Sequence, residues 1–148
     1  MKWLLDTNVL SEYVRVQPNR TVLDWVAGRP SDQFAVSFVT IAELRSGALS
    51  ATTEQRRNEL NGWIDGELSS TFGSNILPVG IDILIDWLHL SQKLAAMGQT
   101  RPAADLLLAA TARTRDLIVV TRNVKDFAGT GVILYDPWSG KTYNMDTP

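Results

Sequence analysis

Lys2-Trp3-Leu4-Leu5-Asp6-Thr7-Asn8 opens the chain with a short apolar run that stops at an aspartate and two small polar residues. A run this short, bounded by residues that start turns and helices, reads as a buried strand feeding a helix. Residues 35–38 and 117–121 have the same character, the latter rich in β-branched side chains. Helical patterns lie between them. Leu60, Trp63, Ile64, Leu68 and Phe72 recur at three- and four-residue steps and predict one apolar stripe on an otherwise polar helix. Residues 81–97 predict a helix that is apolar on two sides, with Ile83, Trp87, Leu90, Leu94 and Met97 on one stripe and Ile81, Leu84, Ile85 and Leu88 on another. The second side faces either another subunit or the interior of a single core. Pro102 suits the first position of a helix, where its missing N–H is not needed, and residues 103–114 continue with strong helix formers. Strands alternating with helices predict an α/β fold with an open, mostly parallel sheet, whose ligands bind at the carboxyl ends of strands near a topological switch point.

The chain has 148 residues, 45% of them apolar and 20% charged, which suits one compact domain. There are no internal repeats and no glycine- or proline-rich linker; the polar tail from about residue 139 is expected to be partly loose. Absence of cysteine excludes a disulfide scaffold, a thiolate metal site and a cysteine nucleophile, and is compatible with a reducing cytoplasm. One histidine, His89, leaves no material for a paired-histidine ribonuclease mechanism or a histidine-rich metal site. Catalysis is therefore left to carboxylates, hydroxyls or arginines. The apolar start is broken at Asp6, too early for a signal peptide, and the later apolar stretches are too short to cross a bilayer. A net charge of −2 announces no polycation, although ten of the fourteen cations are arginine, the better partner for phosphate.

Four acids occupy positions that the predicted fold brings to one edge. Asp6 directly follows the first strand; it also suits an N-cap of the next helix. Glu43 follows the strand at 35–38, and its spacing from Thr40 is that of a capping box, which on spacing alone is the favoured reading. Asp105 sits in an opening helical turn, where a carboxylate complements the helix dipole, yet it interrupts an almost wholly apolar stretch. Asp126 lies in the turn after the last β-branched run, in Val119-Val120-Thr121-Arg122-Asn123-Val124-Lys125-Asp126-Phe127, where Asn123 and Asp126 also suit simple turn formation. Four converging carboxylates without a cation repel one another and raise some of their pKa values. A hard divalent cation, Mg²⁺ or Mn²⁺, relieves this with oxygen ligands and its own waters.

With these residues in view, the chain resembles the PIN-domain ribonucleases, specifically the VapC-type toxins of prokaryotic toxin–antitoxin pairs, nearest the FitB-like branch. Four blocks carry the likeness: Leu5-Asp6-Thr7-Asn8-Val9-Leu10-Ser11-Glu12, Thr40-Ile41-Ala42-Glu43-Leu44-Arg45-Ser46-Gly47, Asp105-Leu106-Leu107-Leu108-Ala109-Ala110-Thr111-Ala112, and Thr121 to Phe127. Asp136-Pro137-Trp138, after what reads as the final strand at 132–135, is similar to that branch's ending. The resemblance implies a parallel sheet of four or five strands flanked by helices and an acidic pocket binding Mg²⁺ or Mn²⁺. It also implies metal-dependent endonucleolytic hydrolysis of RNA by a metal-activated water, leaving 5′-phosphate and 3′-hydroxyl ends. Asp6, Glu43, Asp105 and Asp126 match the family's acidic positions. Asp6, Asp105 and Asp126 are the implied metal ligands, and Glu43 and Asp126 hold ligand waters or orient the nucleophile. Thr7, Asn8, Thr121 and Asn123 are expected behind them or on their waters. Many members carry aspartate where this chain has Asn123, so its ligand field holds one charge fewer. Arg45, Arg101 and Arg122 are candidates for RNA backbone contacts. A homodimer, and a cognate antitoxin encoded nearby through which alone DNA would be bound, complete the expectation.

Rival readings fit less well. A receiver-like signalling module binds Mg²⁺ in an aspartate pocket but wants paired acids after the first strand, where only Asp6 stands. A phosphatase with Asp6 as nucleophile wants a second aspartate where Asn8 stands. A catalytically silent PIN fold acting through protein contacts stays open.

Overall fold

A computed structural model describes residues Met1–Pro148. In chain order the elements are β1 (Trp3–Leu5), α1 (Thr7–Ser11), α2 (Arg20–Ala27), β2 (Phe34–Ser37), α3 (Phe38–Leu49), α4 (Glu54–Trp63), α5 (Ser69–Phe72), β3 (Ile76–Leu77), α6 (Ile81–Ala96), α7 (Ala103–Arg115), β4 (Ile118–Val120), β5 (Ile133–Asp136) and β6 (Lys141–Asn144). The strands form one sheet in the order β3-β2-β1-β4-β5-β6. The first five are parallel, and β6 runs antiparallel to β5. The sheet therefore has six strands rather than four or five. The two additions sit at its edges: Ile76–Leu77 is too short to stand out by periodicity, and Lys141–Asn144 alternates no apolar face. The strand at 132–135 is accordingly not the last, and part of the tail beyond residue 139 is ordered by pairing. The strand expected at 35–38 starts one residue earlier and gives up Phe38 to α3.

Alternation along the strands divides the interior in two. Leu4, Val119 and Leu134 point to the face covered by α6 and α7, where they meet Ile83, Leu90, Leu108, Ala109 and Phe127. Leu5, Val36 and Val120 point to the other, where Val9, Leu10, Val22, Leu44, Ile64, Leu68 and Phe72 pack. Burial on both faces is why the strands read as unbroken apolar runs. The stripe ending in Ile64, Leu68 and Phe72 is buried as predicted, but its helix is not uniform. It widens into a π-helical turn at Ile64–Leu68 between α4 and α5.

From β1 the chain steps outward to β2 and β3, then returns to pair β4 with the other side of β1. The order reverses between β1 and β4, so the switch point lies at the carboxyl ends of these two strands, where Asp6 and Thr121 follow directly. Asp6 donates its backbone N–H to the Val120 carbonyl at 3.0 Å, and Thr121 donates to that of Tyr135 at 3.0 Å.

Candidate active site

Asp6 is nearly fully buried (3% exposed) and does two things at once. One carboxylate oxygen caps α1, accepting the Thr7 N–H at 2.7 Å, and the other accepts the Thr121 hydroxyl at 2.8 Å. The helix-cap reading therefore holds for this residue, which also stands at the switch point. Thr121, itself wholly buried, is the hub of the arrangement, since its hydroxyl also accepts from Asn8 Nδ2 at 3.1 Å and from the Asn123 N–H at 3.0 Å. Asn123 contributes its backbone here and leaves its side chain exposed.

Glu43 corrects the capping-box reading. Helix α3 begins at Phe38 and is capped by Ser37, whose hydroxyl accepts the Val39 N–H at 3.0 Å. Glu43 lies a turn further on, exposed, and accepts the Thr7 hydroxyl at 2.7 Å. The Thr40–Glu43 spacing has no capping role here: Thr40 is buried inside the helix and its hydroxyl finds no partner. Asp105 is half-buried in the first turn of α7, and Asp126 is half-buried in the 3₁₀ turn Val124–Phe127 after β4. The side chains of Asp105 and Asp126 accept no hydrogen bond, and no arginine or lysine pairs with any of the four acids.

The electrostatic consequence is a strained acidic cluster. Burial lifts the Asp6 carboxyl to about 6; the Thr121 and Thr7 hydrogen bonds oppose the rise, and the charges of Glu43 and Asp126 add to it. Asp105 rises to about 7, first because it is removed from water and then because Asp6, Asp126 and Glu43 surround it with like charge. The donor set is oxygen throughout, and Asn8 adds a buried Oδ1 that no hydrogen-bond donor reaches. These features suit a hard divalent cation. No three acidic or histidine side chains stand close enough together to make a complete protein cage. The set therefore fits an ion held by one or two carboxylates and retaining much of its water, as Mg²⁺ does.

The three candidate arginines differ sharply. Arg45 is tied to Asp65 and donates to Asn61 Oδ1 at 2.7 Å. Arg101 donates to Gln99 Oε1 and to the Thr100 carbonyl. Arg122 is exposed, its guanidinium makes no hydrogen bond, and it lies over the Trp138 ring at 5.1 Å from its centroid. In the sequence Trp138 enters only as part of the Asp136-Pro137-Trp138 ending, with no role attached; its packing beside Arg122 is what the fold adds. A hollow of about 370 Å³ lined by Arg113, Asp116, Ile118 and Ile133 lies at the opposite edge of the sheet and contains none of the four acids.

A doubly covered parallel sheet with its acids gathered at the switch point defines an α/β domain built around an anionic pocket. The chain belongs to the PIN domain family, whose pattern matches residues 3–131. It is 30% identical over 135 residues to the VapC ribonuclease Y4jK of Sinorhizobium fredii, covering 91% of this chain and 96% of that one. It is 32% identical, over 91% of this chain and 97% of the relative, to the toxin FitB of Neisseria gonorrhoeae. The crystal structure of FitAcB from Neisseria gonorrhoeae superposes with a TM-score of 0.86 at 32% identity, over 92% of this chain and 98% of that one. None of these likenesses favours the receiver-like or phosphatase reading. No helix is long and apolar enough to cross a membrane.

Proposed function

We propose that this chain is the toxin of a type II toxin–antitoxin pair, a cytoplasmic endoribonuclease that hydrolyses RNA phosphodiester bonds with Mg²⁺ or Mn²⁺. The observation that carries the reading is the gathering of Asp6, Glu43, Asp105 and Asp126 at the switch point with no arginine or lysine paired to any of them. Names of relatives support it: one similar protein is a VapC ribonuclease, another is a toxin.

In this reading one or two of Asp6, Asp105 and Asp126 would hold the ion directly and the rest would reach it through its waters, while Thr121 fixes the Asp6 carboxylate and Thr7 fixes Glu43. Asn8 and Asn123, through their bonds to the Thr121 hydroxyl, hold that hydroxyl in place. When bound, the ion supplies charge stabilisation for the phosphoryl oxygens and a water acidic enough to attack at neutral pH. Glu43, exposed and anchored only by Thr7, is the side chain free to orient that water and take its proton. Glu43→Gln keeps an acceptor for Thr7 but not the charge, so cleavage is expected to fall by about tenfold to a hundredfold while the melting temperature stays unchanged. Unaltered cleavage would remove Glu43 from the chemistry.

The first test is cleavage of end-labelled total RNA by the purified protein in Mg²⁺ or Mn²⁺ against EDTA, with Asp6→Asn prepared in parallel. Metal-dependent cleavage lost in the variant is expected. No cleavage of transfer, ribosomal or messenger RNA by metal-loaded, antitoxin-free protein would favour a silent PIN fold acting through protein contacts.

The apolar face of α6 supports a homodimer. Ile81 (73% exposed), Ile85 (48%) and Leu88 (48%) are left open by the single chain, so the helix is not enclosed within one core. Light scattering at micromolar concentration is expected to give twice the chain mass, and Ile85→Lys with Leu88→Glu to halve it. A cognate antitoxin is the expected partner, and DNA would be contacted only through that complex.

A further inference from the structure

Resting on the ribonuclease reading, we infer that Arg122 is a substrate-binding residue that grips a backbone phosphate of the RNA beside the acidic pocket, with Trp138 as the platform that sets the plane of its guanidinium. A pocket of four carboxylates repels a polyanion, so RNA needs fixed positive charge at its rim. Among the arginines near the carboxyl edge, Arg45 is paired with Asp65 and held by Asn61, and one terminal nitrogen of Arg101 is bound to its own loop. Arg122 follows immediately on Thr121, the residue that holds Asp6, and its guanidinium donates to nothing. All five of its N–H groups are therefore available to phosphate oxygens.

Freedom from partners would normally mean a floppy side chain, and ordering it would weaken binding. Here Trp138 restrains it, and the charge of Glu12 attracts it. The Trp138 ring lies 5.1 Å from the guanidinium carbon, within the range of a cation–π contact, and Trp138 is half-buried against the core beneath. Glu12, 2% exposed and bound to Arg15 and to the Asn19 N–H, lies within charge–charge reach of Arg122 without forming an ion pair with it. Arg122 is thus a preorganised fork, and a bidentate phosphate contact is the use that its geometry suits.

The test measures two things for each Arg122 variant: steady-state cleavage in Mg²⁺ with Asp6 intact, and, in an Asp6→Asn background where binding alone is read, binding of a fluorescein-labelled single-stranded oligoribonucleotide of mixed sequence by anisotropy. Arg122→Ala is expected to raise KM and the anisotropy Kd about tenfold, with kcat within about twofold, the loss of one charge-assisted phosphate contact. Its salt dependence should be shallower by about one counterion. Arg122→Lys keeps the charge but not the planar fork and should fall between. Arg115→Ala removes an arginine paired with Asp82 at the far end of α7 and should match the parent. Unchanged KM, Kd and salt slope in Arg122→Ala, or an oligoribonucleotide that the parent does not bind, overturns the proposal. Binding that depends on Arg122 without any cleavage by the unsubstituted protein would instead retain the proposal's contact and sink the ribonuclease reading.

Discussion

In EDTA at pH 8, protein carrying Asp6→Asn is expected to resist urea better than the unsubstituted chain, and on return of Mg²⁺ to cleave RNA at least about 100-fold more slowly, the scale on which loss of one preorganised charge-stabilising group acts. The stability half follows from linkage. The Asp6 carboxyl titrates at about 6 in the fold, against an ordinary value of 3.8. Between pH 4 and 6 the folded chain therefore holds a proton that the unfolded chain has lost, and stability falls as pH rises through this window. Two units correspond to about 3 kcal/mol, from which the imperfect replacement of one hydrogen bond subtracts, leaving a gain of about 1–2 kcal/mol. The cap itself survives, because asparagine serves at an N-cap as well as aspartate. At pH 4, where the buried carboxyl is protonated, the advantage should vanish. Asp105, raised to about 7, extends the same fall in stability to about pH 7; being partly solvated, it adds less than its shift suggests. Saturating Mg²⁺ should flatten the profile. A variant that loses cleavage because it no longer folds would count against a metal role for Asp6.

Thr121→Val should have the second largest effect. This near-isosteric change deletes one hydroxyl and leaves three groups unmatched: the second oxygen of Asp6, Asn8 Nδ2 and the Asn123 N–H. At a wholly buried position this is expected to cost about 2–3 kcal/mol in urea denaturation at neutral pH. Thr121→Ser keeps the hydroxyl and loses one methyl, for about 0.8 kcal/mol. Without its strongest opposing hydrogen bond, the Asp6 carboxyl rises further, so the pH dependence of the valine variant should reach to higher pH than that of the parent. Cleavage should drop by about tenfold to a hundredfold, the usual price of losing a group that orients a ligand. Equal stability of the valine and serine variants would show that the hydroxyl is not the hub that its hydrogen bonds describe.

Much of this was written in local sequence. The β-branched run before Thr121, the three-to-four spacing that buries Ile64, Leu68 and Phe72, and the alternation of short strands with helices determine an α/β domain covered on both faces, because periodicity and burial are tied by backbone geometry alone. The candidate acids were legible for the same reason: each follows a strand or opens a helix. Three matters were decided only by tertiary structure. The edge strands Ile76–Leu77 and Lys141–Asn144 exist because a neighbour offers its unpaired backbone, which no local pattern reveals. Glu43 bonds Thr7 instead of capping a helix because α3 starts at Phe38 and brings Thr7, 36 residues distant in the chain, within 2.7 Å. Arg122 differs from Arg45 and Arg101 because Trp138 reaches it across the fold, while the other two find hydrogen-bonding partners. Local sequence sets which side chains an element can present; which charges meet, and which stay free, depends on distances between elements that only the packed chain fixes.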